Sequence, residues 1–135
     1  MLSRTLETTL HAALQHAAGL RHEYATLEHL LLALLDDAEA AQLLAACHAE
    51  PEPLRAALTG FLREDLAGLV LQEASEPKVT AGFQRVVQRA AIAGQSAGRA
   101  EITGADVLAA MFSETASHAA SFLQQQGLTE KTAKA

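Results

Sequence analysis

Cysteine is almost missing from this sequence. Cys47 stands alone, so no disulfide forms within the chain and a reducing compartment is expected. Aromatic residues are nearly as scarce: four Phe, one Tyr and no Trp leave little for stacking on bases. Branched apolar residues are few as well, five Val and two Ile against 22 Leu and 30 Ala, a balance that favours helices over a sheet. No stretch reaches the roughly 18 uninterrupted apolar residues of a membrane span. The opening MLSRTLETTL lacks the basic region, apolar core and small-residue cleavage site of a signal peptide, so the expected location is the cytoplasm. Positive charge is short in the first fifty residues, where seven acids face only Arg4 and Arg21. The remainder carries nine acids and eight bases. Such a balance argues against nucleic acid and anionic membrane, and for a basic partner, with a merely soluble surface as the plain alternative.

What is present is helical pattern. The 135 residues make one domain by length, large enough for a single core. The centre of the pattern is HEYATLEHLLLALLDD, residues 22–37. His22, Glu23 and Tyr24 read as an exposed, charged turn, and Thr26 as the N-cap of a helix apolar nearly all round, which belongs inside a bundle. Glu28 sits in the first turn, where the helix dipole favours an anion. Before it, Leu2, Leu6, Leu10, Ala13, Leu14 and Ala17 form one stripe behind a Ser3 cap, and Gly19 is expected to end that helix in a left-handed conformation. Asp37 caps a third helix through Leu43, Leu44 and Cys47. Pro51 and Pro53 suit the first turn of a fourth, with Leu54, Ala57, Leu58, Phe61 and Leu62 on its apolar face. From about residue 65 to 78 the periodicity fades, which predicts a linker that is mobile near Pro77.

Beyond the linker the chain repeats itself. At an offset of 77, Leu6 falls on Phe83, Leu10 on Val87, Ala13 on Ala90 and Thr26 on Thr103. Leu30, Leu31, Leu34 and Leu35 fall on Val107, Leu108, Met111 and Phe112. Two further residues later, Ala40–Leu44 lies over Ala119–Leu123. Thr103 with Asp106 makes a capping-box start, the aspartate standing in for the usual Glu. The predicted fold is therefore all-α: a pseudo-twofold bundle of two four-helix repeats, about eight helices, with repeat one at about 1–64 and repeat two at about 79–135. Core positions match between the copies, whereas Arg21–Ala25 and Gly98–Ile102 do not. A difference at a loop between matched scaffolds marks the first turn as the candidate site.

HEYATLEHLLLALL, followed by FQRVVQRA, ITGADVLAAMFSE and AASFL, resembles the N-terminal domain of the Clp unfoldases, most closely those of the ClpA type. The resemblance implies a pseudo-twofold eight-helix domain that is not itself an enzyme. It would dock the ClpS adaptor with N-degron substrates for an ATP-driven unfoldase that works with the ClpP protease. ATP and Mg would belong to ATPase modules absent from this chain, in which no GxxxxGK loop followed by Ser or Thr occurs. Carried over by position, the resemblance implies Glu23, Tyr24, Thr26 and Glu28 as the adaptor-facing residues. Family members usually carry Phe-Met where Tyr24-Ala25 stands, so the apolar part of the contact is expected to differ. No cofactor is expected in the domain, which should be a monomer.

Four other readings draw on these or other residues. His22 and Glu23 begin an HExxH pattern, but position 26 is Thr, so a metal site of His22, Glu23 and His29, and the hydrolase it would serve, lacks a full ligand set. The histidines are otherwise expected to be exposed or at the edge of the core. Cys47 beside His48 is poorly placed for a nucleophile and its base, and a buried thiol is expected. Arg85 and Arg89 mark a polar helix face, solvated by default. Direct binding of unfolded apolar segments between the halves is the alternative to an adaptor.

Overall fold

The computed structural model describes residues 2–22, 24–47, 49–65, 77–114 and 117–125. Seven α-helices lie among them: α1 (Arg4–Gly19), α2 (Leu27–Leu34), α3 (Ala38–Ala46), α4 (Pro51–Gly60), α5 (Ala81–Ser96), α6 (Gly104–Met111) and α7 (His118–Gln125). A wider π-type turn, Phe61–Asp65, continues α4. The all-α expectation holds. The eighth helix of the expected count falls outside the described residues, as does most of the linker.

The helix starts follow from their caps. Ser3 Oγ accepts the Leu6 N–H at 3.0 Å, Asp37 Oδ1 that of Ala40 at 3.0 Å, and Thr80 Oγ1 that of Phe83 at 3.2 Å. Pro51 occupies the first turn of α4, where its missing N–H is harmless. Inside, Leu6, Leu30, Leu31, Leu34, Leu54, Leu58, Leu62, Leu108, Met111 and Leu123 are wholly buried in one cluster. Each such side chain contributes roughly 2 kcal/mol of transfer free energy. The two leucine- and valine-rich helices, α2 and α6, pack on each other at the centre.

Two short strands, invisible in the periodicity, tie the chain across the bundle. β1 (Tyr24–Ala25) pairs in parallel with β2 (Lys78–Val79), Tyr24 opposite Lys78, and Leu2 makes a parallel bridge with Ile102. Thr80 N–H donates to Ala25 O at 3.1 Å, and Ser3 N–H donates to Ile102 O at 2.8 Å. Each residue in the first bond stands 77 positions from one in the second. Pro77 is buried and Lys78–Val79 is a paired strand, which corrects the reading of a mobile tract there. The sequence signal failed because a two-residue strand is too short to show alternation.

The end of α1 also differs from expectation. Gly19 remains helical, and the left-handed residue is Arg21, φ 57°. His22 N–H donates to Ala17 O and Arg21 N–H to Ala18 O, the paired bonds of a Schellman closure. α5 closes identically, Arg99 N–H to Gly94 O and Gly98 N–H to Gln95 O, with Gly98 at φ 74°. The hydrogen-bond register of the closure, rather than the nearest glycine, decides which residue turns left-handed.

Packing is matched by compensation. A methyl group on Gly94 would collide with Ile102 Cδ1, whereas the residues 77 earlier are Ala17 and Ala25. Gly94→Ala is therefore expected to cost about 1–3 kcal/mol by overpacking. Adding Ile102→Val, which removes the colliding carbon, should restore part of the loss. Denaturant melts of the single and double variants read this directly, and additive losses would refute the contact.

Candidate docking surface

The corner between α1 and α2 is built from its backbone outward. The Schellman closure turns the chain at Arg21, β1 runs two residues against β2, and Thr26 starts α2. Strand alternation puts Ala25 wholly inside and Tyr24 outside, 43% exposed. Tyr24 and Ile92 are the two large apolar side chains exposed among the described residues. Glu23 lies outside the described residues.

His22 corrects the picture of an exposed turn, being only 3% exposed, and His29 is completely buried. Thr26 N–H donates to His29 Nδ1 at 3.0 Å, which makes Nδ1 an acceptor and puts the proton on Nε2. That Nε2–H donates to His22 Nδ1 at 2.8 Å, the rings standing edge to face at 5.0 Å. Thr26 and His29 thus form a reciprocal capping box in which an imidazole takes the place of a carboxylate. Histidine at this position did not suggest a cap in the sequence, because the signature is written for Glu and Gln.

These bonds bear on the metal reading through His29. Both nitrogens of His29 and the Nδ1 of His22 are engaged within the protein, which leaves His29 no free nitrogen to offer a metal. No group of three metal-binding side chains occurs among the described residues. Cys47 is half-buried at the end of α3 rather than enclosed, since α3 packs only one face on the core and the thiol sits at its edge. His48 lies outside the described residues.

Glu28 is the second correction. It is 7% exposed, in the first turn of α2, and faces His118 of α7 at 3.8 Å. Burial raises its pKa, opposed by the backbone N–H at its own position and by His118. α7 is held over it by Phe61, whose ring stacks at 4.5 Å on His118 and meets Phe122 edge to face at 5.9 Å. The helix dipole favours the charge of Glu28, and α7, distant in sequence, covers it. Thr26 is half-buried with its hydroxyl 2.9 Å from His29 Nδ1. The four expected contact residues are therefore unequal: Tyr24 presents its surface, while Thr26 and Glu28 stand behind the corner. Arg85, on the α5 face, forms a bidentate pair with Glu114 at 2.7 and 3.2 Å.

This bundle with a tethered corner defines a helical domain of doubled design. The chain matches the Clp repeat (R) N-terminal domain family over residues 1–126. It is 56% identical over 128 residues to the ClpA homolog protein of Fuscovulum blasticum, covering 94% of this chain and 16% of that protein's length. The N-terminal domain of Hsp104 from Candida albicans shares the fold at a TM-score of 0.75 and 13% identity, over 98% of this chain and 86% of that one. The N-domain of ClpV in complex with a VipB peptide does so at 0.73 and 19%, over 96% and 80%. The chain belongs to the Clp N-terminal domain family, and its relative is about six times its length. Among the described residues no helix is long and apolar enough to cross a membrane.

Burial drives the His29 imidazole down to about 3, with His22 and His16 adding to the effect. Burial also lowers His22, aided by His16. Both imidazoles bind protons more readily in the unfolded chain. Stability is therefore full above the ordinary histidine value of 6.5 and falls as the pH drops toward 3. The slope is about 1.4 kcal/mol per pH unit for each proton taken up. His29→Gln keeps an acceptor for the Thr26 N–H but does not titrate, so its urea-unfolding free energy should fall less steeply than the parent's between about pH 7 and pH 5. Glu28, which acts in the opposite sense, is common to both proteins and cancels. Equal slopes would remove the imidazole from the pH dependence.

Proposed function

We propose that this chain is the docking domain at the N-terminus of a ClpA-like unfoldase. It receives a ClpS-type adaptor carrying N-degron substrates at the Glu23–Tyr24 corner. Membership of the Clp N-terminal domain family and the ClpA homolog at 56% identity support the class of protein. That a solved ClpV N-domain holds a VipB peptide supports binding of protein segments as the mode of action. The observation that carries the choice of site is Tyr24, an amphipathic ring held outward on backbone that is bonded to β2 on one side and capped at Thr26 on the other. An aromatic with a polar tip on a pre-ordered mount is a common hot-spot type, because little freedom remains to be lost on binding.

In this reading Glu23 and Tyr24 touch the adaptor. Glu23 offers a charge-assisted hydrogen bond to a basic partner. Thr26 and Glu28 act from behind, the first by fixing the start of α2 and the second by seating α7. ATP, Mg and the ClpP protease would act through parts of the unfoldase beyond these residues.

Tyr24→Ala should weaken the adaptor by roughly tenfold or more, and Glu23→Lys should weaken it with a steeper dependence on salt. The melting temperatures of both variants should stay close to that of the parent, the Tyr24 ring being exposed. Calorimetric titration with a purified ClpS-type adaptor measures this, and unaltered affinity in both variants would take the corner out of the interface.

A further inference from the structure

Two of the grooves in view are the same groove occurring twice. One, about 390 Å³, runs between α1 and α2 over Ala12, His16, Leu32, Ala33 and Asp36. The other, about 270 Å³, runs between α5 and α6 over Arg89, Ala93, Ala109, Ala110 and Ser113. Each floor residue of the second stands 77 positions after one of the first, in the same order. What differs is the third wall. In the first groove α4 and the turn after it supply Arg55, Thr59 and Arg63. Among the described residues the second groove has no such wall.

The charges have changed sides as well. In the first groove the floor carries the carboxylate of Asp36, and the helix that packs along it brings Arg55, 2.8 Å away. In the second the floor carries a cation instead: Arg89 stands where Ala12 does, and Ser113 where Asp36 does. Arg89 makes no hydrogen bond or ion pair among the described residues, although its field lowers the pKa of Glu114. Arg99 enters the rim, half-exposed while paired with Asp106, and its guanidinium has more donors than that pair uses. Ile92, 64% exposed, lies one turn from Arg89 on the neighbouring ridge. The alanines of the floor leave room for a backbone to come close.

We propose that the α5/α6 groove is a second docking site, which takes an acidic amphipathic helix of a partner protein in the position that α4 takes on the first groove. The partner's carboxylates meet Arg89 and Arg99, and its apolar face covers Ala93, Ala109, Ala110 and Ile92. Helix-in-groove recognition needs these two things, an apolar floor of helical spacing and a charged rim that sets orientation. The site is on the opposite copy from Tyr24 and calls for the opposite charge, so it does not depend on the adaptor reading above.

The test uses the whole chain, labelled for amide NMR, and two synthetic peptides of about 16 residues, long enough to sustain a helix. One is built on Glu-Ala-Ala-Leu repeats, and in the other lysine replaces every glutamate. The acidic peptide should shift the amides of Ala93, Ala109 and Ala110 saturably, and more weakly as salt is raised. Arg89→Glu should lower the affinity by roughly tenfold with an unchanged circular dichroism spectrum, whereas Tyr24→Ala should leave it as it was. Equal binding of the lysine peptide would overturn the proposal, as would shifts centred elsewhere. Contacts from residues 126–135 to Ala109 or Ala110 in the free chain would also overturn it, by showing the groove to be filled from within.

Discussion

Two backbone hydrogen bonds hold the arrangement on which everything else rests, Ser3 N–H to Ile102 O and Thr80 N–H to Ala25 O. Their donors are the N-caps of α1 and α5, so one residue both starts a helix and fastens it to the far half of the chain. Their acceptors immediately precede the N-caps of α2 and α6, the two central helices. Remove this exchange and the four long apolar stripes would still seek burial, but nothing would fix the angle at which α1 and α5 enter. A buried backbone group without a partner costs about 1–3 kcal/mol, which makes the alternative arrangements expensive as well as loose. Tyr24 inherits its position from the same bond, since it is the residue before Ala25.

Behind each of those fastenings the chain solves one problem with two chemistries. The N-cap threonine of α2 is closed by His29, which is oriented by His22. The N-cap threonine of α6 is closed by Asp106, which is paired with Arg99. The residues stand 77 apart throughout. A neutral pair of imidazoles can be sealed from water without the desolvation penalty of an ion pair, and His22 and His29 are accordingly buried. The Arg99–Asp106 pair keeps its guanidinium half in solvent. The sealed corner is therefore dry and sensitive to protonation, while the other keeps its charge in contact with water.

How far the residues announced this depends on the length of the feature. The helices were legible because their stripes run two turns or more, and the caps at Ser3, Thr26, Asp37 and Thr103 because their residue types are written for the purpose. The strands were not, since pairing of Tyr24–Ala25 with Lys78–Val79 involves residues more than fifty apart and too few of them to alternate. Gly19 misled because the position that turns left-handed is set by hydrogen bonds, and Arg21 occupies it in spite of its side chain. At the candidate site, the exposure of Tyr24 follows from local alternation, whereas the burial of Glu28 comes from α7, ninety residues later. Local pattern sees the first and is blind to the second.

The divergence of the two halves follows from where substitution is free. Inside, a change must be answered: Gly94 with Ile102 occupies the place of Ala17 with Ala25, small against large where the other copy has two middling residues. Outside, Arg89 can stand where Ala12 does and Ser113 where Asp36 does without disturbing the core, because both positions line a groove at the surface. A doubled fold therefore keeps one core and acquires two unlike surfaces, an acid-flanked aromatic corner on one copy and a cationic groove on the other. The constraint that forces the interiors to agree is the same one that leaves the faces at liberty to differ.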